Sequence, residues 1–308
     1  MGRFVVRRAL HTAVVLLAVT FFFYALVFLI PGDPIRALFG FRPPPPEVLA
    51  GLRHEYGLDQ PFYVQYVRYL GRLVSGDWGV TFRGAQVSSL VAEAFPISMR
   101  LLALTMLAQT LIGVMAGVVA AYRKVSFLGA LIRIASLAVI SIPVFALAFL
   151  VQAEFGVRFR WLPAYGLTAR GWSGYVLPAF VLAASFTAYV ARMTQIEVSA
   201  TLREPYVRAA HGRGIALRRV VGVHALRPAL VPVVTLIAAS AGQLVSGLII
   251  VEGVFKIPGL GGVVFDAIRF KEHALVVGIL TVATLVTILS SLVADVLYAI
   301  IDPRIRVE

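Results

Sequence analysis

Few side chains in this sequence could make or break bonds. There is no cysteine, and only five histidines are present. His211 and His224 stand thirteen residues apart in a strongly basic stretch, a spacing that fits neither an H-E-x-x-H helix nor a nucleophile-base set. The three lysines, Lys124, Lys256 and Lys271, follow Arg123, Phe255 and Phe270. None follows glycine, so the Gly-Lys pair of a phosphate-cradling P-loop is excluded. No catalytic residue, no metal and no cofactor is expected in the chain itself. What remains are polar groups of binding or gating type. Ser240, Gln243 and Ser246 recur at three-residue steps within one apolar run, a stripe that could line a polar path or hydrogen-bond between helices. Thr281, Thr284, Thr287 and Ser291 repeat in a similar way in another run, with the same two readings. Glu252 stands just beyond the first of these runs, where it could gate a path, meet a substrate amine or serve as a simple interfacial acid.

The elements that must position these groups are membrane helices. The 308 residues are 60% hydrophobic and only 14% charged. Six windows lack charge: Ala9–Gly32, Leu101–Tyr122, Ile134–Ala153, Gly171–Ala191, Pro228–Val251 and His273–Ala294. Each is long enough to cross a hydrocarbon core of about 30 Å at 1.5 Å per residue. A charge near the centre of such a helix costs roughly 2.5–3.5 kcal/mol on insertion scales, so the gaps are informative. The expected fold is an all-α polytopic membrane protein with six transmembrane helices. The first window follows Arg3, Arg7 and Arg8; its apolar run is too long for a signal peptide and no A-x-A site follows, so a retained anchor is expected.

Arg and Lys set the orientation. With the N-terminus inside, the inner segments hold 15 basic residues against 5 acids, and the outer ones 13 against 10. One long outer loop inflates the outer total, and long loops count little. Both termini are therefore expected on the cytoplasmic side of a plasma membrane. The net charge of +13 reads as topology and attraction to anionic lipid, not as nucleic-acid binding.

Three regions follow. Residues 1–32 form a short tail and the first span. Residues 33–100 are too long for a connector and read as a folded outer loop: breakers "PGDP" and "RPPPP", a helical stretch Glu47–Tyr56, then Phe62–Val74 with Phe62, Tyr66, Tyr69, Leu70 and Leu73 on one stripe, closed by "SGDWG". Residues 101–308 hold the other five spans. Among these, Gly113 and Gly117 make a GxxxG pair and Pro143 lies inside the third span. After Glu252, Pro258-Gly259 and Gly261-Gly262 suggest a short re-entrant or surface helix before the last span.

The inner segment between spans four and five, about 201–227, is more than a basic loop. Pro205 suits a first helical position. Tyr206, Ala209 and Ala210 then share a face at i, i+3 and i+4, small enough for another surface to approach closely, and Gly212 and Gly214 end the helix. A second helix is expected with Leu217, Val220, Val221, His224 and Ala225 on one face and Arg218 and Arg219 opposite. A charged loop that only fixes topology would need neither the alanines nor the glycines.

This segment resembles the EAA loop, E-A-A-x-x-x-G-x9-I-x-L-P, of permease subunits of bacterial ATP-binding-cassette importers. Ala209, Ala210, Gly214 and Leu226 match. Arg208 replaces the Glu, His224 the Ile and Arg227 the Pro, departures similar to the peptide-permease subclass, with its "HALRxALxPVVT" ending. "LIPGDP", "GLDQPFYVQY", "GDWGVTF", "VEGVFKIPGLG" and "DVLYAIIDPRIR" resemble that subclass in the right order along nearly the whole chain, and specifically the first of its two permeases. The resemblance implies a non-ATPase permease subunit of a bacterial inner-membrane importer of di- or oligopeptides. Nickel, haem or glutathione cargo runs on similar machinery. It implies a heterodimer with a second permease, two cytoplasmic ATPases that bind ATP and Mg, and an extracytoplasmic peptide-binding protein. Coupling then falls to Glu204, Pro205, Tyr206, Arg208, Ala209, Ala210 and Gly214, and the candidate path to Ser240, Gln243, Ser246, Glu252 and Thr284. An ion-coupled carrier is the more distant alternative; it would call for mid-span Asp, Glu or His, which the windows lack near their centres.

Overall fold

The computed structural model describes residues 2–29, 45–55, 57–122, 127–166, 171–270 and 272–301. The breakers of "PGDP", most of "RPPPP" and the terminal "DPRIR" lie outside these residues, as does the side chain of Asp295. The described chain is helical; its one non-helical pairing is an isolated antiparallel bridge between Val80 and Gln86. Eleven helices carry the argument: α1 Gly2–Leu29, α2 Pro46–Glu55, α3 Phe62–Val74, α4 Val87–Tyr122, α5 Phe127–Ile140, α6 Val144–Val151, α7 Val176–Thr201, α8 Pro205–Gly212, α9 Leu226–Phe255, α10 Leu260–Arg269 and α11 His273–Ile301.

Among the described residues, four helical stretches are long and apolar enough to cross a membrane: Val87–Tyr122, Gly171–Thr201, Val220–Phe255 and His273–Val293. The window expected as one third span is instead a pair, Gly129–Ile140 and Val144–Arg158, bent by 106°. Pro143 explains the break. It has no N–H to donate back and holds φ at −57° with an extended ψ of 139°, and its ring disfavours helix at the residue before it. Counting that pair as one gives five spans; the apolar part of α1, Thr12–Leu26, is shorter. Leu107, Leu111, Ile112 and Met115 on α4 are exposed, as suits helix surfaces that face lipid.

The chain divides into two compact units. The first comprises residues 1–98 and 258–288. Here the aromatic stripe foreseen on α3 packs on α1. Phe21 meets Phe62 and Tyr66 edge-to-face at 5.7 and 5.3 Å, and Tyr24 lies 5.5–5.7 Å from Phe62, Tyr66 and Tyr69. Such pairs add about 0.5–1.5 kcal/mol each beyond area burial. The hydroxyls are also used: Tyr66 donates to Leu17 O at 3.0 Å, and Tyr69 Oη and Thr281 Oγ1 are 3.1 Å apart. At the start of α10, the Leu260 N–H donates to Ser98 Oγ at 2.8 Å.

The second unit comprises residues 99–257 and 289–308 and is built around α7, which contacts α5, α6 and α9. Small residues set how closely helices approach. A Cβ at Gly117 would fall 2.5 Å from Ala191 O and 2.5 Å from Thr194 Cβ, and one at Gly113 would fall 2.7 Å from Val190 Cγ1. The GxxxG pair is therefore a true contact seam of α4 on α7. After α6, the π turn Gln152–Arg158 places Gln152, whose Nε2 donates to Ala164 O and Val254 O, both at 2.9 Å.

Candidate functional site

The short helix expected between spans four and five is present as α8, starting at Pro205 and ending at Gly212. It follows α7 with no slack chain. Leu202, Arg203 and Glu204 N–H groups bond Val198, Ala200 and Thr201 carbonyls at 2.9–3.0 Å, and the Glu204 carbonyl then accepts from Val207 and Arg208, each at 3.1 Å. Glu204 thus supplies the first intrahelical acceptor of α8. At the far end Arg213 N–H bonds Ala209 O at 3.1 Å, and Gly214 turns the chain with φ +80°. Nothing lies within 4 Å of where its Cβ would be. The glycine is needed for its backbone angle, not for space.

Burial around α8 divides the site residues. Val207 is buried, at 2% exposure, and α8 packs on the turn Val220–Ala225. Tyr206 is 50% exposed, and Glu204, Pro205, Arg208, Ala209 and Gly214 are exposed with it, while Ala210 is half-buried. Tyr206 and Ala209 thus leave an uncovered small-residue face beside a bulky aromatic. Arg203, Arg213, Arg218 and Arg219 are also exposed, which gives the segment a basic surface.

The expected second amphipathic helix takes another form. Only the turn Leu217–Arg219 is α-helical, and Val220–Ala225 is a π turn that runs directly into α9. The reason is Pro228. It cannot donate to His224 O, and the wider turn, in which Leu226 N–H bonds Val221 O five residues back, shifts the hydrogen-bond ladder before the prolines arrive. Beneath this junction Ala121, Val198 and Ala229 are buried together with Val118, Leu202 and Leu226 packed against them. So α4, α7 and α9 meet in this cluster.

The polar residues in the apolar runs do not form one uniform stripe. Ser240 is buried, accepts from Gln109 Nε2 at 2.8 Å and donates to Ile237 O at 2.7 Å. Gln243 and Ser246 are exposed on the isolated chain. Glu252 is fully buried, and its carbonyl accepts from Ile257 and from the left-handed cap residue Lys256. Thr284 is half-buried and donates to Leu280 O at 2.8 Å, as Thr281 does to Val277 O and Thr287 to Ala283 O. Sequence reasoning missed Gln109, fully buried in α4; a lone amide in the middle of an apolar window was the available signal. Among the described residues no group of three or more His, Cys, Asp or Glu could hold a metal ion.

Comparison with known proteins assigns this architecture. Residues 113–307 match the family described as the inner membrane component of binding-protein-dependent transport systems, and residues 1–101 match the N-terminal region of such membrane components. The chain is 32% identical to a probable peptide ABC transporter permease protein, y4tP, of Sinorhizobium fredii, over 99% of this chain and 100% of that protein. It is 34% identical to the glutathione transport system permease protein GsiC of Escherichia coli strain K12, over 99% of each chain. The chain belongs to this permease family. The permease is thus a multi-pass inner-membrane subunit of an ABC importer, the membrane component and not the ATPase, working in a complex with ATPase and substrate-binding partners. The resemblance to permeases of the peptide importer family is borne out.

Proposed function

We propose that the permease forms half of the pathway of an importer of short peptides, glutathione-like tripeptides included, and that α8 receives the ATPase. In this reading the chain crosses the membrane six times with both termini in the cytoplasm. It pairs with a second, similar permease, and two ATPases binding ATP and Mg dock from the cytoplasm. An extracytoplasmic binding protein delivers cargo to the face that carries the region between spans one and two. The observation that carries the reading is α8 itself: a helix with an exposed Tyr206–Ala209 face, joined without slack to α7 and through the π turn to α9. A push on α8 then moves two spanning helices, which is what coupling ATP-driven closure to alternating access requires. Glu204, Pro205 and Gly214 fix the helix ends, while Tyr206, Arg208, Ala209 and Ala210 form the contact. The substrate reading is supported by relatives named for peptide and glutathione transport.

The test is uptake into proteoliposomes that hold the permease with its co-purifying permease and ATPases, ATP inside and binding protein outside. ATP-dependent accumulation of a labelled dipeptide, tetrapeptide or glutathione is expected. Accumulation of nickel or haem alone would overturn the cargo, and co-purification with no ATPase would overturn the docking role of α8. In the same vesicles Ala209→Trp should leave ATPase assembly and basal hydrolysis measurable but cut uptake at least about tenfold, because an indole fills the approach that alanine leaves open; unchanged uptake would refute the contact.

A further inference from the structure

Within the first unit a cavity of about 280 Å³ opens between α1, α3, the turn before α4 and the start of α11. Its wall is aromatic, from Tyr24, Tyr69, Trp78 and Phe82, and Glu272 lies in it, with Arg72 and Asp77 also lining it. Glu272 is only 5% exposed. Its Oε2 accepts the Phe82 N–H at 2.8 Å, but its Oε1 is buried with no hydrogen-bond partner among the described residues. Several of the other polar groups nearby are already engaged. Tyr24 donates to Gln65 Oε1 at 3.4 Å, Gln65 Nε2 donates to Gln60 O at 2.8 Å, and Tyr69 is matched with Thr281. Arg83, a cation that acts on the carboxylate, is held over the Phe270 ring at 4.3 Å.

A buried carboxylate oxygen without a donor costs free energy unless something supplies one. A donor that is also cationic suits this wall, because aromatic faces attract cations and an acid completes the pairing. An apolar ligand would leave Oε1 unmet, and an anion would be repelled by it. The exposed Arg72 also lines the cavity and supplies a cation for a carboxylate, so a zwitterion is accommodated. The volume is near the lower end of ligand pockets, about 300–1,000 Å³, which limits the occupant to something of about dipeptide size.

We infer that this cavity binds the protonated amino group of a short peptide, with Glu272 Oε1 as the ammonium acceptor and Trp78 and Phe82 as its aromatic wall. The inference rests on the peptide reading of the cargo, and it adds a site within the first unit of the permease.

The experiment is ligand-observed NMR on the intact transporter in nanodiscs, with the binding protein omitted. Alanyl-alanine and N-acetyl-alanyl-alanine are the probes. Alanyl-alanine is expected to bind, and acetylation, which removes the ammonium, is expected to abolish binding. Glu272→Gln keeps an acceptor for the Phe82 N–H and should weaken alanyl-alanine about tenfold or more, as loss of a charge-assisted hydrogen bond does. Trp78→Leu, a second variant at a half-buried position, should weaken it as well. Absence of alanyl-alanine binding, equal binding of the acetylated probe, or binding unchanged in both variants would each overturn the site. Peptide uptake by vesicles whose transporter shows no Glu272-dependent binding would overturn the inference and leave the cargo reading intact. Glu272-dependent binding in a transporter that accumulates no peptide would do the reverse.

Discussion

Replacing Gly117 with alanine should loosen the seam between α4 and α7 and lower the thermal stability of the permease. The added methyl would sit 2.5 Å from Ala191 O, 2.5 Å from Thr194 Cβ and 3.0 Å from Thr194 Cγ2. Ordinary contact begins at 3.4 Å, so the helices must separate by about 0.9 Å along that line. One obstacle is a backbone carbonyl, which no rotamer change can move. Overpacking of this kind costs about 1–3 kcal/mol, and the rigid obstacle places Gly117→Ala toward the top of that range. Two neighbours calibrate it. Gly113→Ala meets Val190 Cγ1 and Cβ at 2.7 and 2.8 Å, a branched side chain with little freedom, so a cost nearer the middle is expected. Gly247→Ala meets only Leu182 Cδ1 at 2.6 Å; the end of a flexible side chain can turn aside, and the cost should stay under about 1 kcal/mol. The assay is the thermal midpoint of the detergent-solubilised complex, read by loss of the monodisperse peak after heating. The expected order of destabilisation is Gly117 over Gly113 over Gly247. If Gly117→Ala melts with Gly247→Ala, the close backbone approach is not what holds the seam.

Other consequences follow from the same contacts. Gly214→Ala should cost about 1–2 kcal/mol through its φ of +80° with no steric clash, and should lower transport-coupled ATP hydrolysis, while Gly214→Asn stays closer to wild type because asparagine tolerates that region; an alanine variant with unchanged coupling would refute the need for a left-handed turn there. Ser240→Ala removes the acceptor of Gln109 Nε2 and should lower the thermal midpoint by an amount equivalent to about 1 kcal/mol, with Gln109→Leu in the same chain restoring most of it; additive losses would show that the pair is not coupled. Burial pushes the Glu272 carboxyl above its ordinary value, against the lowering effects of the Phe82 N–H and of Arg83, with His273, Asp77 and Arg72 also lining its cavity. A raised folded-state pKa means the folded chain holds the proton more tightly. That contribution to stability is full below the ordinary carboxyl range and is lost as pH rises through the raised value. Thermal midpoints measured across that window should fall with pH more steeply in wild type than in Glu272→Gln; equal slopes would refute the assignment.

Much of this protein is legible in its sequence, because membrane insertion is decided locally. Absence of charge over twenty or more residues is enough to mark an apolar helix, and four of the charge-free windows became single helices of spanning length. Short-range chemistry was equally readable. Pro205 and Gly214 bounded α8 because proline and glycine act through their own backbone angles, and the aromatic stripe on Phe62–Val74 lay on one face because helical spacing alone puts it there. What the sequence left open depends on partners distant in the chain. Pro143 accounts for a break in the run but not for its size, and the 106° bend between the two halves is visible only in the fold. Whether GxxxG is a seam or ordinary surface depends on what faces it, and only the approach of Val190, Ala191 and Thr194 settled that. Ser240 reads as a path residue or a packing residue until Gln109, more than a hundred positions away, is seen to bond it. Glu272 sits at the edge of an apolar run like any interfacial acid, and only the fold closes an aromatic wall around it and leaves one oxygen unmet. Local free energies fixed the helices; contacts between residues far apart in sequence decided which of their polar groups are satisfied and which await a partner.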